Sequence, residues 1–528
     1  MLARGSSVTT PAAETAAVRE DVLQLPLLKF AVVAAVLPLF AECGVWNYRP
    51  YEYEAWTLKQ MLAEHDRGVL QVSYHGKYLS LTNEPVAFYS ETPAAGFEPI
   101  PGEAGIPPHR RPRPEVEMTP TLKNGIYDLG HEDIGYVRVS SYMRPTLFVG
   151  ESLAEVNSSD YGGFEQSTLM VPDGPGRWRS DIPLAGRYLR FQTKVDSVRF
   201  GSQVDWSLKP AVRFSSDDKR LEGIWTAGVE TLRLCMRTLM VDAIKRDRLP
   251  WSADMVVGLL ANADSFRHPE PIKRTLAALG SADPAQGGHV NGVAAYSAWW
   301  VVGQDLLQRK FGEPDYLKLH YPRIVARMDE METHCDERGF LTKNLGWNFM
   351  DWTDDAGGKV RSEVSLQCIY YWALQSAVHL ATLSGDAEHA QAWSDRAAKL
   401  RANIRRAGMD GTRHARILAI VSGAYEGPDA EKLARELAEG DFEPTKTPYM
   451  ATFEVMALAR GGQMAAAWRK FESVWGAMYD AGERTCWEWW DPSKTGDARY
   501  LFYRRPFGNA LCHQWSSGVV HLLSSVLK

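Results

Sequence analysis

The hydrophobic period changes at about Ser215, and this change constrains the fold of the 528-residue chain more than any other feature. Before it, short strand-like segments are separated by Gly, Pro and Asp; after it, helical patterns continue to the C-terminus. Asp217 or Asp218 can cap a first helix that runs through Trp225 towards Met240. A chain of this length exceeds what one hydrophobic core normally serves, so two or more domains are expected.

Helices of two kinds are predicted in the second part of the chain. After Asp386 one face is apolar and the other carries Arg and Lys, which indicates an outer helix; the apolar face consists of Trp393, Ala397, Leu400 and Ile404. Between Val364 and Leu383 the apolar residues cover more than one face, which indicates an inner helix. Roughly 310 residues allow about twelve helices at ordinary lengths. This number fits a closed double ring of six helical hairpins, the (α/α)6 barrel, and no fixed-period repeat favours a solenoid.

The first part of the chain is β-rich. Alternating residues from Leu70 onwards, on both sides of His75-Gly76, predict a hairpin. Further strands are predicted from patterns at near-regular spacing: Tyr136–Val139, Pro145–Val149, Arg187–Phe191 and Ser197–Phe200. Such spacing favours an antiparallel sandwich.

We therefore predict a multidomain protein with both α and β structure. An antiparallel β-sandwich region precedes an (α/α)6 barrel domain, and a Pro-rich segment forms an extended connection over the surface. The predicted bounds are 1–24 for a loosely ordered N-terminus, 25–214 for the sandwich region, 92–121 for the connection, and 215–528 for the barrel.

Composition limits the partners. The net charge of −6 gives no electrostatic footprint for nucleic acid or for an anionic membrane, so we expect neither as a partner. A small-molecule or oligosaccharide substrate is the default expectation. The 18 Trp and 21 Tyr residues offer many flat apolar faces, on which sugar rings stack. The sequence does not indicate the oligomeric state.

The cysteines and one apolar run bear on the compartment. No Cys-x-x-Cys pair occurs among the six scattered cysteines, so buried free thiols are expected. This favours a cytoplasmic location, with a periplasmic or secreted one as the alternative. The apolar run Phe30–Ala41 is too short for a transmembrane helix, and Lys29 interrupts it on the N-terminal side. It is either a buried structural segment or a cleaved export signal.

Four acidic and aromatic clusters lie near predicted helix ends in the second part. The first runs from Asp242 to Asp254, where Pro250 indicates a helix end, a loop and a new helix start. It is either a solvated loop with incidental ion pairs or an acid group with supporting carboxylates at a sugar pocket. The other clusters contain Trp347, Asp351, Trp352, Asp354 and Asp355; Trp487, Glu488, Trp489, Trp490 and Asp491; and His513 and Trp515.

Carboxyl groups interleaved with Trp are typical of glycoside cleavage. One carboxyl protonates the leaving oxygen while another activates water or attacks the sugar, and aromatic rings hold the sugar. For the third cluster, which contains Trp487 and Glu488, the alternative is aromatic core packing with a helix-capping glutamate. For His513 the alternative is a hydrogen-bonded core histidine.

The helical part resembles the α-L-rhamnosidase family of glycoside hydrolases, family 78, in which β-sandwich modules precede an (α/α)6 barrel. The family's acidic motif falls on Asp242, Arg246, Asp247, Trp251 and Asp254, its Trp-Glu motif on Trp487-Glu488, and its later histidine on His513. Phe349-Met350-Asp351-Trp352 is similar to the family's Gly-Asp-Trp segment. The resemblance extends to the sandwich through Asp128-Leu-Gly, Gly135-Tyr-Val, Gly150-Glu-Ser and Gly186-Arg-Tyr-Leu-Arg. It thus covers roughly residues 125 to 528.

The resemblance implies an inverting exo-glycosidase that acts on terminal α-L-rhamnosyl residues. Asp247 is then the general acid and Glu488 the general base, about 6.5 to 9.5 Å apart to admit water. The expected substrate-binding residues are Asp242, Arg246, Trp251, Asp254, Trp347, Asp351, Trp352, Trp487 and His513. The family's acid is usually Glu, whereas Asp247 is shorter and lies between Arg246 and Arg248, whose charges oppose a general-acid role unless burial outweighs them.

Two alternatives from other classes remain. A polysaccharide lyase on the same helical barrel could act on a uronate-containing polymer with Arg246 and His513, and a non-catalytic carbohydrate-binding protein could keep the aromatic pocket. No oxygen-rich loop with regular ligand spacing occurs, so no cofactor and no obligatory metal are expected.

Overall fold

A computed structural model describes residues 71–74, 77–80, 115–158, 166–180, 183–237, 239–245, 248–280 and 288–528. The predictions for residues 1–24, for Phe30–Ala41 and for most of the connection at 92–121 lie outside this part of the chain. The predicted hairpin is confirmed, because β1 (Gln71–Tyr74) pairs with β2 (Lys77–Ser80) in antiparallel register.

The other strands form one connected antiparallel sheet. They are β3 (Val116–Met118), β4 (Thr121–Lys123), β5 (Ile126–Ser140), β6 (Thr146–Gly150), β7 (Gln166–Leu169), β8 (Val171–Pro172), β9 (Arg177–Arg179), β10 (Leu184–Phe191) and β11 (Ser197–Ser202). The main path runs β3-β11-β5-β10-β6-β7. The four predicted strands are confirmed as parts of β5, β6, β10 and β11, with β6 beginning one residue later than predicted. β3 begins inside the Pro-rich segment, so the end of that segment is a strand.

The long strand β5 changes neighbours along its length. Asp128 in its first half pairs with both β4 and β10, whereas Arg138 in its second half pairs with both β11 and β9. Gly186 in β10 lies where the register with β5 shifts, and the backbone of Gly150 leaves no room for a Cβ there. The sheet core contains alternating residues such as Val137, Val139, Leu147 and Val149.

Helices make up most of the chain from Lys219 onwards. Their bounds are α1 (Leu153–Asn157, within the sheet region), α2 (Lys219–Cys235), α3 (Ser252–Ala263), α4 (Glu270–Leu279), α5 (Ala294–Phe311), α6 (Pro314–Thr333), α7 (Glu363–Ser384), α8 (Ala387–Ala407), α9 (Arg413–Val421), α10 (Pro428–Glu439), α11 (Pro448–Arg460), α12 (Met464–Phe471), α13 (Ala477–Asp480) and α14 (Val519–His521). Short 3-10 turns span Val290–Gly292, Gly496–Tyr500 and Gln514–Gly518, and π-helical turns span Glu472–Gly476 and Leu522–Val526.

The helices contact one another in a regular order. Along the chain, every second helix contacts the next one of the series: α3 contacts α5, α5 contacts α7, α7 contacts α9, and α9 contacts α11. The turn Gln514–Gly518 contacts both α11 and α3. The predicted inner helix is α7, buried around most of its circumference. The predicted outer helix is α8, whose buried residues are Trp393, Ala397, Leu400 and Ile404, as the periodicity indicates.

Two boundaries refine the sequence predictions. The side chain of Asp218 caps α2 by accepting from the Arg220 amide, but the helix ends at Cys235 and does not continue towards Met240. Cys235, Cys368, Cys486 and Cys512 are buried free thiols, as predicted, whereas Cys335 is a free thiol that is only partly buried. Within the described residues, no helix combines the length and the apolar character that a bilayer crossing requires.

Candidate active site

The acidic segment connects α2 to α3, as predicted from Pro250. Asp242 holds it closed, because its amide donates to the Leu249 carbonyl and its Oδ1 accepts from the Leu249 amide, both at 2.9 Å. Arg248 donates to the carbonyls of Ile244 (2.6 Å) and Pro183 (2.9 Å). The carboxylate of Asp242 therefore supports the loop directly. Arg246 and Asp247 lie outside the described residues.

Segments far apart in sequence meet beside this loop. Ala243 forms a bridge with His513, and the Gln514 amide donates to the Asp242 carbonyl at 2.6 Å. The Trp-Glu segment lies along the C-terminal segment, because the Glu488 amide donates to the Ala510 carbonyl at 2.8 Å. The structure thus brings together the first, third and last of the predicted clusters.

A buried lysine links this region to the sheet. Nζ of Lys245 lies 3.0 Å from Glu151 and 3.4 Å from Glu155, and it donates to the carbonyls of Phe507 (2.9 Å) and Asn509 (3.0 Å). Burial and the negative charge of Glu151 raise the pKa of Glu132, beside this group, well above its usual range. One ammonium group therefore connects the acidic loop, the sheet and the segment that pairs with Glu488.

Glu488 is 2% exposed, and its surroundings fix its position. Its Oε1 accepts from the Tyr503 hydroxyl at 2.8 Å, and its Oε2 lies 3.4 Å from the Ala510 amide. Its backbone carbonyl accepts from the Trp515 indole at 3.0 Å. Both its backbone and its side chain are therefore held by the C-terminal segments.

Four partly exposed aromatic side chains form an arc that we call the aromatic rim: Trp251, Trp347, Trp352 and Tyr503. Ring centroids are 6.4 Å apart for Trp251 and Trp347, 5.9 Å for Trp347 and Trp352, and 5.3 Å for Trp352 and Tyr503. The rim leads from the N-terminal end of α3 to the hydroxyl that contacts Glu488. Three of the predicted tryptophans are thereby brought together.

Asp254, in the first turn of α3, lies beside His513 of the C-terminal segment. Nδ1 of His513 lies 3.8 Å from Oδ1 of Asp254, and its ring packs against Trp515 at 4.3 Å. Burial and the charges of Asp351 and Asp254 raise the pKa of Tyr449 well above its usual value, so its phenol stays protonated. Tyr449 stacks on Trp515, with centroids 5.5 Å apart.

Asp351 lies in a fully buried network. Its Oδ1 accepts from the Thr447 hydroxyl at 2.6 Å and from the Trp352 amide at 2.9 Å, while its Oδ2 lies 2.8 Å from Nε2 of His414. These contacts join the segment that carries Trp352 to the N-terminal ends of α9 and α11. Asp351 therefore stabilises the segment that carries Trp352 of the aromatic rim. Its contact with substrate remains a prediction.

Trp487 occupies a different environment from the other predicted tryptophans. It is 0% exposed and packs against Trp490 (5.4 Å) and Tyr500 (5.5 Å). The packing matches the core alternative for this cluster at Trp487.

Several loops of the site have left-handed backbone at residues other than glycine. Examples are Arg248, Asn291, Tyr503 and Arg504, with φ between 51° and 60°. Such conformations are costly and often occur at functional sites. At Tyr503 this geometry accompanies the contact with Glu488.

Sequence reasoning missed Tyr503, Tyr449, His414 and Thr447. Tyr503 follows Glu488 by 15 residues, and a lone tyrosine in a turn has no distinguishing pattern. The others lie on α9 and α11 or at their ends and approach the site only through the order of the helices.

The family model for the bacterial alpha-L-rhamnosidase six-hairpin glycosidase domain matches residues 209–527. The match covers more than half of the 528 residues, so the chain belongs to this family of glycosidase domains. This confirms the resemblance and favours a glycoside hydrolase over the lyase and binding-protein alternatives.

Solved structures of rhamnosidases share the fold. A rhamnosidase from Klebsiella oxytoca with rhamnose bound is 20% identical, with a TM-score of 0.64, over 86% of this chain and 93% of that chain. A GH78 family rhamnosidase from a Bacillus species is 19% identical, with a TM-score of 0.64, over 77% of this chain and 47% of that chain. The Streptomyces avermitilis alpha-L-rhamnosidase complexed with L-rhamnose is 18% identical, with a TM-score of 0.59, over 78% and 43%. The match therefore spans about half of the last two proteins. No curated protein sequence matches the chain.

Proposed function

We propose that the chain is an inverting exo-glycosidase that hydrolyses terminal α-L-rhamnosyl residues of glycosides or oligosaccharides. The observation that carries this proposal is the aromatic rim, which leads from Trp251 beside the acidic segment to Tyr503 at Glu488. Rhamnose is a neutral deoxy sugar with a methyl group at C6. An arc of partly exposed aromatic rings suits its apolar face better than that of a charged uronate.

In the proposed reaction Asp247 donates its proton to the glycosidic oxygen as the bond from C1 to that oxygen breaks. Glu488 removes a proton from the water whose oxygen forms the new bond to C1 on the opposite face. The contacts of Glu488 support this role, because a general base must be held in a fixed position. Tyr503 is a positioning residue for the Glu488 carboxylate.

Substrate hydroxyls are the proposed partners of Asp254, His513 and Arg246. Asp254 and His513 lie together at the start of α3, where a carboxylate and an imidazole can accept and donate hydrogen bonds. Asp242 contributes mainly by closing the acidic loop.

We also infer an (α/α)6 barrel preceded by a β-sandwich. The series of contacts from α3 through α11 to the C-terminal turn and back to α3 supports the barrel. The change of neighbours along β5 supports a sandwich, since one strand can contribute its two halves to different layers. In this arrangement the acidic loop and the Trp-Glu segment lie on connections at one end of the helices.

The test is release of nitrophenol from p-nitrophenyl α-L-rhamnoside, compared with the α-L-arabinoside, β-D-glucoside and α-D-mannoside. We expect hydrolysis of the rhamnoside and loss of activity in both Asp247→Asn and Glu488→Gln, each confirmed as folded by circular dichroism. Preference for another glycoside would contradict the proposed specificity. Full activity in either variant would contradict the proposed roles.

A further inference from the structure

A cluster of two histidines and a glutamate lies outside the proposed catalytic groups. Nδ1 of His289 lies 3.6 Å from Oε1 of Glu330, and Nε2 of His334 lies 2.9 Å from the same oxygen. One ligand atom from each residue lies within 4.8 Å of the other two. His289 and Glu330 are buried, and the His334 side chain is 14% exposed.

Surrounding contacts orient these groups towards one another. Nε2 of His289 lies 2.5 Å from the Asn344 carbonyl, so it carries the proton and Nδ1 presents its lone pair to the cluster. The other oxygen of Glu330, Oε2, accepts from Arg327 at 3.1 Å, which leaves Oε1 facing both histidines. Histidines that bind metals are typically oriented by such a second hydrogen bond.

The donor set defines a class of ligand. Two imidazole nitrogens and one carboxylate oxygen suit zinc and similar transition metal ions, whereas calcium and magnesium prefer oxygen ligands alone. Zinc bonds of about 2.0 to 2.2 Å place ligand atoms roughly 3 to 3.5 Å apart around a tetrahedral ion. The two distances from the imidazole nitrogens to Oε1, 2.9 and 3.6 Å, are already close to this range.

We propose that His289, Glu330 and His334 bind a divalent transition metal ion of the zinc type, with water in the fourth position. Glu330 lies in the last turn of α6 and His334 is the C-cap residue four positions later, a spacing that places two ligands on one face of the helix. Arg327 shares the carboxylate and reduces its effective charge, so the affinity is lower than that of a structural site made of thiolates.

The position of the cluster indicates what the ion does. His289 precedes the turn Val290–Gly292, whose Gly292 carbonyl accepts from the Trp347 amide at 2.9 Å. In the same turn the Asn291 side chain donates to the Pro250 carbonyl at 2.9 Å, next to Trp251. The ion would join the end of α6 to the turn that supports both tryptophans. Its role is therefore to stabilise the aromatic rim rather than to take part in the chemical step.

The experiment uses the full chain after treatment with a chelator. Zinc binding is measured by calorimetric titration, and the Tm of the chain is measured with and without zinc. Cobalt(II) is titrated in a separate experiment, because its visible absorption reports nitrogen and oxygen ligands. We expect one ion per chain, a higher Tm with zinc, and the cobalt absorption of a site with low coordination number. None of these measurements depends on glycosidase activity.

The variants His334→Ala and Glu330→Gln test the ligands. We expect each to weaken zinc binding by more than about 100-fold, beyond the roughly 10- to 100-fold effect of losing a supporting contact. The control is His379→Ala. Nδ1 of His379 lies 2.5 Å from Oδ1 of Asp305, the side chain is 31% exposed, and neither residue belongs to the cluster. It should bind zinc like the wild type.

His334 is partly exposed at the C-terminal end of α6, so its truncation should leave the fold intact, and circular dichroism in chelator verifies this. Absence of zinc binding by the wild type would overturn the proposal and leave a hydrogen-bonded cluster, with Ser297 at 3.3 Å from Nδ1 of His289. Undiminished binding in folded His334→Ala and Glu330→Gln would overturn it as well.

Discussion

Asp351 and Glu488 come from clusters that look alike in the sequence, each a carboxylate next to tryptophan, yet their surroundings differ. Asp351 is enclosed by a hydroxyl, an amide and an imidazole from three segments of the helical part of the chain. Glu488 is held through its backbone, and its carboxylate receives the hydroxyl of Tyr503, which belongs to the partly exposed rim. Both carboxylates are buried, but Glu488 is hydrogen-bonded to a side chain of the aromatic rim, where we propose that the sugar binds, whereas Asp351 contacts the rim only through the backbone amide of Trp352.

The strongest test of this difference is Glu488→Gln. The amide has the same shape and can still accept from Tyr503, but it cannot take a proton from water. We expect kcat/KM for p-nitrophenyl α-L-rhamnoside to fall about 10²- to 10⁴-fold, with little change in Tm. A decrease smaller than about 10-fold would assign the base to another group.

The converse test is Asp351→Ala. Removing a buried carboxylate leaves His414 and Thr447 without their partner, so we expect the free energy of unfolding to fall by about 3 to 5 kcal/mol. Urea unfolding measures this loss. Asp217→Ala, at an exposed position, is the control and should change stability by less than about 0.5 kcal/mol. Equal stability of the two variants would contradict a bracing role.

Glu483 is a third carboxyl for this comparison, and burial is the largest influence on its pKa. Burial outweighs Arg499, 4.0 Å away, and raises the pKa of Glu483 from 4.5 to about 7. The folded chain therefore holds this proton more tightly than the unfolded chain. The associated stability is present below pH 4.5 and is lost as the pH rises through about 7.

The matched variant is Glu483→Gln, which stays neutral at every pH. Relative to this variant, the wild type should lose about 1 to 3 kcal/mol of stability between pH 5 and pH 8. Urea unfolding of both proteins across this range checks the prediction. Parallel pH profiles would show that Glu483 does not titrate there.

Tyr503→Phe tests the contact that distinguishes Glu488 from Asp351. The hydroxyl stabilises the charged form of the carboxylate, so its loss should move the acid limb of the kcat/KM profile to higher pH. We expect kcat to fall by about 10-fold or less, since the base itself remains. Tyr500→Phe, in the same region but packed on Trp487, is the control and should keep the wild-type profile.

Local signals account for the parts of the fold that the sequence predicts well. The period that places Trp393 and Leu400 on one face depends only on residues of α8, and Asp218 caps the helix that follows it directly. The sequence predicts a later end for α2 than Cys235, because the apolar pattern continues into the loop that Asp242 closes.

The site was predicted less completely. Sequence motifs predict Glu488 and Trp251 as site residues, but the partner of Asp351 at Thr447 is 96 residues away and depends on helix order. The sequence likewise does not separate Trp487, in the core, from Trp347 and Trp352, at the rim. All three lie in short acidic and aromatic clusters of the sequence, and only the packing of the folded segments distinguishes them.

The most direct test of the central claim is the configuration of the first sugar released by the wild type. Proton NMR during hydrolysis of p-nitrophenyl α-L-rhamnoside distinguishes the two anomers before they equilibrate. Direct attack by water activated by Glu488 predicts that β-L-rhamnose appears first and the α anomer later by mutarotation. Initial appearance of α-L-rhamnose would contradict the account, because retention requires a carboxylate that attacks the sugar itself.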